Sequence, residues 1–595
     1  MDIFTVTIIV SMLIFVAIGS YAGKSVKKLD DYFVAGRRAP TLLIVGTLVA
    51  SVFSTSMFMG EAGFTYDGQM GPYMLIPGLT VLGYLYGALL FGTYIRRSRA
   101  PTVADFFGRR FNSHKVQKAA GITIIIGLSG YLLVVTQGAA ILLSDLTNLT
   151  YYQGILVAGL SYTIFTIYSG SKGVILTDTL MFLLFTFASV FFVWYIVDNL
   201  GGVKNIVESL TQLESKPDIV AWHGTVGEGT DWATPSDYLM WHIIVDIAWG
   251  VAYAIGPWQA SRHLMAKDEH VVLRASIYTL FFVALIQIII YGVGGAINLV
   301  NPDISPSETV LIWAAQNRVP EFLGALLLAG IVAAALSSAS TFLSLIGFSV
   351  SNDITERKTP LTLSKTRKLM LVSALVILTI CFFFPPNIFW LTLFIGTVFA
   401  SSWGPVAFMS VWSKNITADA AYWGIIMGFV FNVVPAALVY LGYLSLPVYF
   451  DPFVIGAVAS LITIITVSKL GKVTRAEALY RMRLHRTPDE DFSVKKTKIT
   501  LLAPACMMIY GCSMPFLLIN YYVIPYQRGV GQLLADGSLD WSKPEALFAL
   551  CFAAIYIPLS LITANVIWKR YSPSAKIKNH AMRRARRYQK ENSEA

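Results

Sequence analysis

The sequence predicts an all-helical polytopic membrane protein with about fifteen transmembrane helices. Two observations carry that reading. Of the 595 residues, 55% are apolar and only 13% charged, and the mean hydropathy is +0.63, a balance that excludes a soluble globular fold. Apolar stretches also recur from residue 1 to about residue 568, so no polar block is left that is large enough to fold alone.

A helix that crosses a hydrocarbon core about 30 Å thick needs roughly 20 mainly apolar residues. By that measure, spans 1 to 15 lie at 1–20, 40–66, 72–95, 119–146, 152–169, 174–198, 238–257, 275–300, 321–350, 369–384, 388–412, 417–443, 452–468, 499–522 and 545–568. Span 1 opens Met1-Asp2-Ile3 without the basic start of a signal peptide, so it reads as a retained helix. The polar segment 199–237 separates spans 2–6 (40–198) from spans 7–11 (238–412) and has room for a short lid-like helix. Four further spans occupy 417–568, and 569–595 is a basic tail.

Lys and Arg decide orientation, because they accumulate in cytoplasmic segments. Forty of the 45 lie in alternate segments that share one side; the other side holds Lys204, Lys216, Arg318, Arg528 and Lys543. The N-terminus is therefore expected outside and the C-terminus inside, in the plasma (inner) membrane. The net charge of +11 and the tail run Arg583, Arg584, Arg586, Arg587 read as juxtamembrane charge that touches anionic lipid, with no nucleic-acid partner. The four cysteines, Cys381, Cys506, Cys512 and Cys551, all fall inside spans and read as small apolar residues. No zinc-spaced Cys/His set, phosphate loop or nucleophile elbow is found, so the chain is not read as an enzyme.

Transporters build their sites where spans break near the midplane and free backbone carbonyls. Span 2 carries Ala50-Ser51-Val52-Phe53-Ser54-Thr55-Ser56, followed by Gly60 and Gly63; span 9 carries Ala333 through Ser337-Ser338-Ala339-Ser340-Thr341. At 1.5 Å per residue, Ala50 lies ~15 Å and Ser337 ~20 Å from the cytoplasmic end. The two patches thus share a depth. Carbonyl and hydroxyl oxygens without a carboxylate suit a monovalent cation such as sodium. Close helix packing is the bland explanation for such small residues. Asp178, near the start of span 6, reads either as a helix N-cap or as a functional intramembrane carboxylate.

Several motifs carry a resemblance across residues 1–470. They are Tyr32-Phe33-Val34-Ala35-Gly36-Arg37-Arg38, the Ala50 to Gly60 break, Pro101-Thr102-Val103-Ala104-Asp105-Phe106-Phe107, Thr177-Asp178, Ala248-Trp249-Gly250 with Tyr253 and Gly256-Pro257, and Ala334 to Ser338 with Asn352-Asp353. The chain resembles the sodium/solute symporter family, nearest in motif style to its proline, pantothenate and monocarboxylate branch. The resemblance implies a leucine-transporter-type fold with inverted five-helix repeats, spans 2–6 and 7–11. It also implies a main Na+ site on Ala50, Phe53, Ala334, Ser337 and Ser338. Some members hold a second Na+, which would fall on Asp178, Ser340 and Thr341.

Trp249 lies ~17 Å along span 7, and Tyr253, one turn on, shares its face. Ser51, Val52, Ser56, Trp249, Tyr253 and Asp246 are the residues expected to bind solute. Where proline carriers of the family have an aspartate and a tryptophan, this chain has Val52 and Ser56. Where sugar carriers have an asparagine, a glutamate and a glutamine, it has Val52, Ser56 and Met57. The cavity therefore fits a monocarboxylate-like organic anion or an amino acid. Asp246 and Glu61 either face a water-filled vestibule or meet a substrate amine; an Asp246 that lines the site favours the amino acid. The expected function is sodium-coupled symport by alternating access, with solute, sodium ions and membrane lipid as partners. A transporter-like solute sensor and a proton-coupled carrier that uses Asp178 are the alternatives; the absence of an output domain counts against the first, and Ser337 with Ser338 against the second.

Overall fold

The computed structural model describes residues 2–75, 77–355 and 361–572. The tail beyond residue 572, with its Arg583 to Arg587 run, and the basic pair Arg357 and Lys358 lie outside the described residues. Among the described residues every named element is helical.

Among the described residues, twelve helices are long and apolar enough to cross a membrane. One of them, Tyr151–Asn199, has 49 residues, a length of ~74 Å that exceeds one bilayer crossing about twofold. It bends at Gly170, whose φ of 54° and ψ of −152° lie where essentially only glycine goes. Tyr32 packs into the bend and donates its hydroxyl to the Ile167 carbonyl at 2.7 Å. Residues 151–169 and 171–199 are thus spans 5 and 6. Span 2 is discontinuous as well: helix Thr41–Ala50 stops, 51–55 are irregular, and helical turns resume from Ser56. Span 10, Leu363–Cys381, is less apolar because Lys365, Arg367 and Lys368 occupy its first two turns.

The other spans are Ile3–Gly23 (1), Gly78–Ser98 (3), His114–Leu146 (4), Pro235–Met265 (7), Glu269–Leu299 (8), Glu321–Ile354 (9), Ile388–Trp412 (11), Ala418–Tyr440 (12), Pro452–Leu470 (13), Val494–Gly529 (14) and Pro544–Tyr571 (15). Span 7 has a break that the sequence dictates. Helix Pro235–Ile255 ends at Gly256 (φ −52°, ψ 141°) and helix Pro257–Met265 begins at once. Proline keeps the preceding residue out of helical geometry and then suits the first position of a new helix. Span 7 therefore runs eight residues further than the apolar pattern indicates, and takes Arg262 inside the protein.

Burial separates core from periphery. Span 9 is 83% and span 11 78% buried over their apolar windows, against 22% for spans 1, 12 and 13, which leaves the latter three facing lipid on most sides. Spans 12 and 13 pair with each other and lean on span 11, while spans 14 and 15 pair at another edge. Span 2 lies directly on span 6 because Gly46 has no side chain; an added Cβ would sit 2.7 Å from the Thr179 Cα. The 199–237 segment contains the short helix Val203–Leu210, whose Ile206, Val207 and Leu210 are buried.

Candidate cation site and solute cavity

The break in span 2 turns carbonyls toward span 9. Ser338 Oγ donates to the Phe53 carbonyl at 3.0 Å and the Ala50 carbonyl at 3.3 Å, and Ser337 Oγ reaches the same Ala50 carbonyl at 3.2 Å. Ala334, one turn earlier on span 9, is fully buried on that side of the helix. Two carbonyls and two hydroxyls thus converge in a dry interior, a donor set with the hard oxygens that a sodium ion prefers.

Next to this cluster sits an ion pair. Asp178 lies two turns beyond the Gly170 bend and caps no helix end. Its Oδ1 accepts from Ser337 Oγ at 2.7 Å, and its Oδ2 accepts from Thr47 Oγ1 at 2.5 Å. Arg262, from the second half of span 7, faces Asp178 Oδ2 with Nη2 at 3.5 Å, donates Nε–H to Thr47 Oγ1 at 3.0 Å and bonds Thr341 Oγ1 through Nη2. Of the three residues expected at a second cation site, Asp178 and Thr341 meet at this guanidinium. Ser340 does not join them; its hydroxyl turns back along its own helix to the Ser337 carbonyl at 2.8 Å.

A cavity of about 40 Å³ opens toward the 199–237 side of spans 2, 3, 7, 8 and 11, lined in part by Glu61, Thr80, His242, Asp246, Trp249 and Gln287. Polar side chains enter it in an ordered way. The Tyr238 hydroxyl lies 2.9 Å from His242 Nδ1, and His242 Nε2 lies 3.6 Å from Asp246 Oδ2. Glu61 accepts from the Tyr291 hydroxyl. Asp246 Oδ2, Gln287 Oε1 and Trp249 Nε1 are buried without a hydrogen-bond partner, a costly state that a bound molecule relieves. No Lys or Arg is among the described lining residues. A volume of this size accommodates only a few waters.

The cavity includes Asp246, Trp249 and Tyr253, as the sequence indicates; Trp249 and Tyr253 meet edge to face at 5.5 Å. Ser51, Val52 and Ser56 are elsewhere. Ser51 Oγ donates to the Leu48 carbonyl at 3.0 Å, Ser56 Oγ accepts from Thr392 at 2.7 Å, and Val52 is buried in the core. The broken backbone rotates these three side chains into helix contacts while its carbonyls take the cation side. Sequence reasoning missed His242, Gln287 and Arg262. His242 and Asp246 stand four apart in an apolar span and therefore on one face, a legible signal; Arg262 was hidden because the apolar run ends before it.

Comparison with known proteins follows the same lines. A family model described as the sodium:solute symporter family matches residues 32–428. The sodium/pantothenate symporter of Escherichia coli K12 is 26% identical over 459 residues, 74% of this chain and 91% of that protein. The sodium/proline symporter of Salmonella typhimurium LT2 is 23% identical over 494 residues, 79% of this chain and 94% of that protein. Among solved structures, a substrate-bound, outward-open Na+-coupled sialic acid symporter superposes with a TM-score of 0.65 at 21% identity, covering 80% of this chain and 99% of its own. About a fifth of this chain thus has no counterpart in that structure.

Proposed function

This chain belongs to the sodium:solute symporter family, and from that premise we propose that it imports a small zwitterionic solute of amino-acid type together with sodium bound between spans 2 and 9. The chain is a multi-pass membrane transporter and not an enzyme, and the function of its family is sodium-coupled symport of a small organic solute.

The observation that carries the sodium assignment is Ser338 reaching both freed carbonyls of span 2, Ala50 and Phe53. An ion held by these oxygens, with Ser337 and the Ala334 carbonyl, would tie span 2 to span 9 and favour the arrangement that admits solute. Linkage makes the effect reciprocal, so solute must raise sodium affinity by the same factor. The Asp178–Arg262 pair counts against the proton-coupled alternative, because the carboxylate already has a permanent cation as its partner.

The solute assignment rests on charge. Asp246 and Glu61 face one cavity whose lining, among the described residues, includes no Lys or Arg. An organic anion is repelled there, whereas an ammonium group finds an unpartnered carboxylate oxygen. Trp249 Nε1 supplies a donor for the opposite, carboxylate end. Of the solutes named for the relatives, proline has this chemistry, yet Val52 and Ser56 set the chain apart from proline carriers, so a different side chain is expected.

We also take 40–198 and 238–412 as the two inverted repeats, since each begins with a broken helix, at 51–55 and at Gly256–Pro257. With forty basic residues on one side, the N-terminus is assigned outside and the C-terminus to the cytoplasm of a plasma membrane. Thermal stability of the purified protein in sodium against potassium, with amino acids, monocarboxylates and sugars added in turn, tests both assignments. The expected result is a sodium-specific rise that amino acids extend. Extension by monocarboxylates alone overturns the solute class, and the absence of any sodium effect overturns the cation site.

A further inference from the structure

We propose that spans 14 and 15 position the solute cavity from behind. Tyr556 acts on Asp246 through the outer end of span 3, and Tyr522 acts on Tyr73 through the 199–237 segment. The inference rests on the solute cavity assigned above, and it gives a role to two helices that lie beyond residue 428, where the family match ends.

The cavity lining includes Tyr73 and Thr80, from the connection between spans 2 and 3. Thr80 orients Asp246, and Tyr73 lies against His242 and Tyr291 with ring centres 5.2 and 5.3 Å away. Neither residue stands in a long helix. Tyr73 is in the six-residue helix Met70–Leu75, and Thr80 ends the four-residue helix Pro77–Thr80, which Val81 separates from helix Leu82–Gly87. Helices this short are not stable by themselves, so this wall takes its shape from what packs behind it.

Span 15 supplies one support. Tyr556 donates its hydroxyl to the Gly78 carbonyl, two residues before Thr80. Gly78 lets the helices come this close, since an added Cβ would sit 2.4 Å from Phe552 Cε1. Span 14 stands behind Tyr556: an added Cβ on Gly511 would sit 2.8 Å from Tyr556 Cβ, and Tyr510 meets Tyr556 edge to face at 4.9 Å. The contacts thus run from Tyr556 to Gly78, Thr80 and Asp246.

Span 14 supplies the second support. Tyr522 donates its hydroxyl to the Val220 carbonyl, and the neighbouring Ile219 carbonyl accepts from the Gly71 N–H at 2.9 Å. Thr225 completes the clasp: its N–H donates to the Gly68 carbonyl at 2.9 Å, and its carbonyl accepts from Gln69 Nε2 at 2.7 Å. Tyr522 and Tyr556 are at most 1% exposed, so water does not replace a lost hydroxyl.

The test uses the purified full chain in lipid nanodiscs and two variants that keep the ring and remove one hydroxyl, Tyr556→Phe and Tyr522→Phe. A buried neutral hydrogen bond corresponds to a factor of about two to ten. Amide hydrogen exchange should rise by that factor over residues 78–85 in Tyr556→Phe and over 66–74 in Tyr522→Phe, and stay unchanged in spans 6 and 9. The concentration of unlabelled amino-acid hydrolysate that halves sodium-driven uptake of 14C-labelled hydrolysate should rise by the same factor in both variants, with the maximal rate retained. In a Thr80→Val background Tyr556→Phe should add no further loss, because the link to Asp246 is already cut. Binding of 22Na+ without solute should match the wild type. Unchanged exchange, unchanged half-inhibition, or a full Tyr556→Phe loss in the Thr80→Val background each overturns the inference, and so does weakened 22Na+ binding, which marks a general loss of structure. A wild-type chain that takes up no labelled amino acid overturns the amino-acid reading instead, and the exchange measurements then decide the support by spans 14 and 15.

Discussion

The Thr80 hydroxyl on span 3 donates to Asp246 Oδ1 on span 7 at 2.5 Å, and this bond fixes a carboxylate whose other oxygen, 3.6 Å from His242 Nε2, faces the cavity without a hydrogen bond. If the solute carries an ammonium group, Asp246→Asn removes a charged hydrogen bond of about 1.5–3 kcal/mol, or roughly 10- to 100-fold in solute affinity. Thr80→Val leaves the charge and frees only its orientation, so a smaller loss is expected. Competition of a panel of amino acids against sodium-dependent uptake measures both. An Asp246→Asn protein with unchanged amino-acid affinity and improved monocarboxylate affinity would show that the cavity was built for an anion.

Ser338 is the hydroxyl shared by both freed carbonyls of span 2, so its loss acts on sodium before solute. Ser338→Ala should raise the half-saturating sodium concentration at least tenfold, and saturating sodium should then recover most of the wild-type solute affinity, as reciprocal linkage requires. Uptake measured over a sodium series separates the two effects. A solute affinity that stays low at every sodium concentration would place Ser338 in the solute site instead.

How far these sites were legible before the fold was known varies with the kind of signal. Small and hydroxyl residues in an apolar run mark a broken or closely packed helix; the family resemblance singles out Ala50, Phe53, Ser337 and Ser338 in these two runs, and the structure brings the four together. Spans 5 and 6 were separable in sequence at the Ser169 to Gly173 turn, though the chain stays helical through it apart from Gly170. Which way a side chain points from irregular backbone is not encoded in any period. Ser51, Val52 and Ser56 were therefore expected in the cavity and are packed elsewhere. Arg262 was missed for an opposite reason. Hydropathy ends span 7 at the Gly256-Pro257 break, and an arginine beyond it looks like one more cytoplasmic charge. Only the tertiary fold shows it buried against Asp178.

Span 15 meets the basic side of the bundle at one buried ion pair between spans 3 and 8. Arg97 at the end of span 3 binds Glu269 at the start of span 8 by two bonds of 2.5 and 2.7 Å, and the Tyr571 hydroxyl at the end of span 15 donates to the same carboxylate at 2.6 Å. Both side chains of the pair are at most 5% exposed. Removing one charge of such a pair leaves the other buried alone, at a cost of about 3–5 kcal/mol. Glu269→Gln should therefore lower the melting temperature strongly, while Tyr571→Phe, which removes one neutral donor, costs about 1–3 kcal/mol. Equal and negligible shifts in both variants would detach span 15 from the stability of the transport core.

At the other face, Lys216 in the 199–237 loop donates to the Tyr66 carbonyl at 3.0 Å and lies 3.4 Å from the centre of the Tyr66 ring. Burial lowers its ammonium from the ordinary 10.5 to about 8, against the pull of Asp67 and Asp303, which favour the charged form. Below about pH 8 both the folded and the unfolded chain carry this charge, and the folded state bears the full cost of burying it. Between pH 8 and 10.5 the unfolded lysine is still charged while the folded one is neutral, so stability rises with pH across that window. Lys216→Met should abolish that part of the rise. Site-resolved acylation of lysines, read by mass spectrometry over a pH series, should give Lys216 a reactivity midpoint near 8. Asp67→Asn removes a charge that stabilises the ammonium and should move the midpoint lower still. A midpoint near 10.5 in both proteins would mean that the loop does not bury Lys216 on Tyr66 in the membrane.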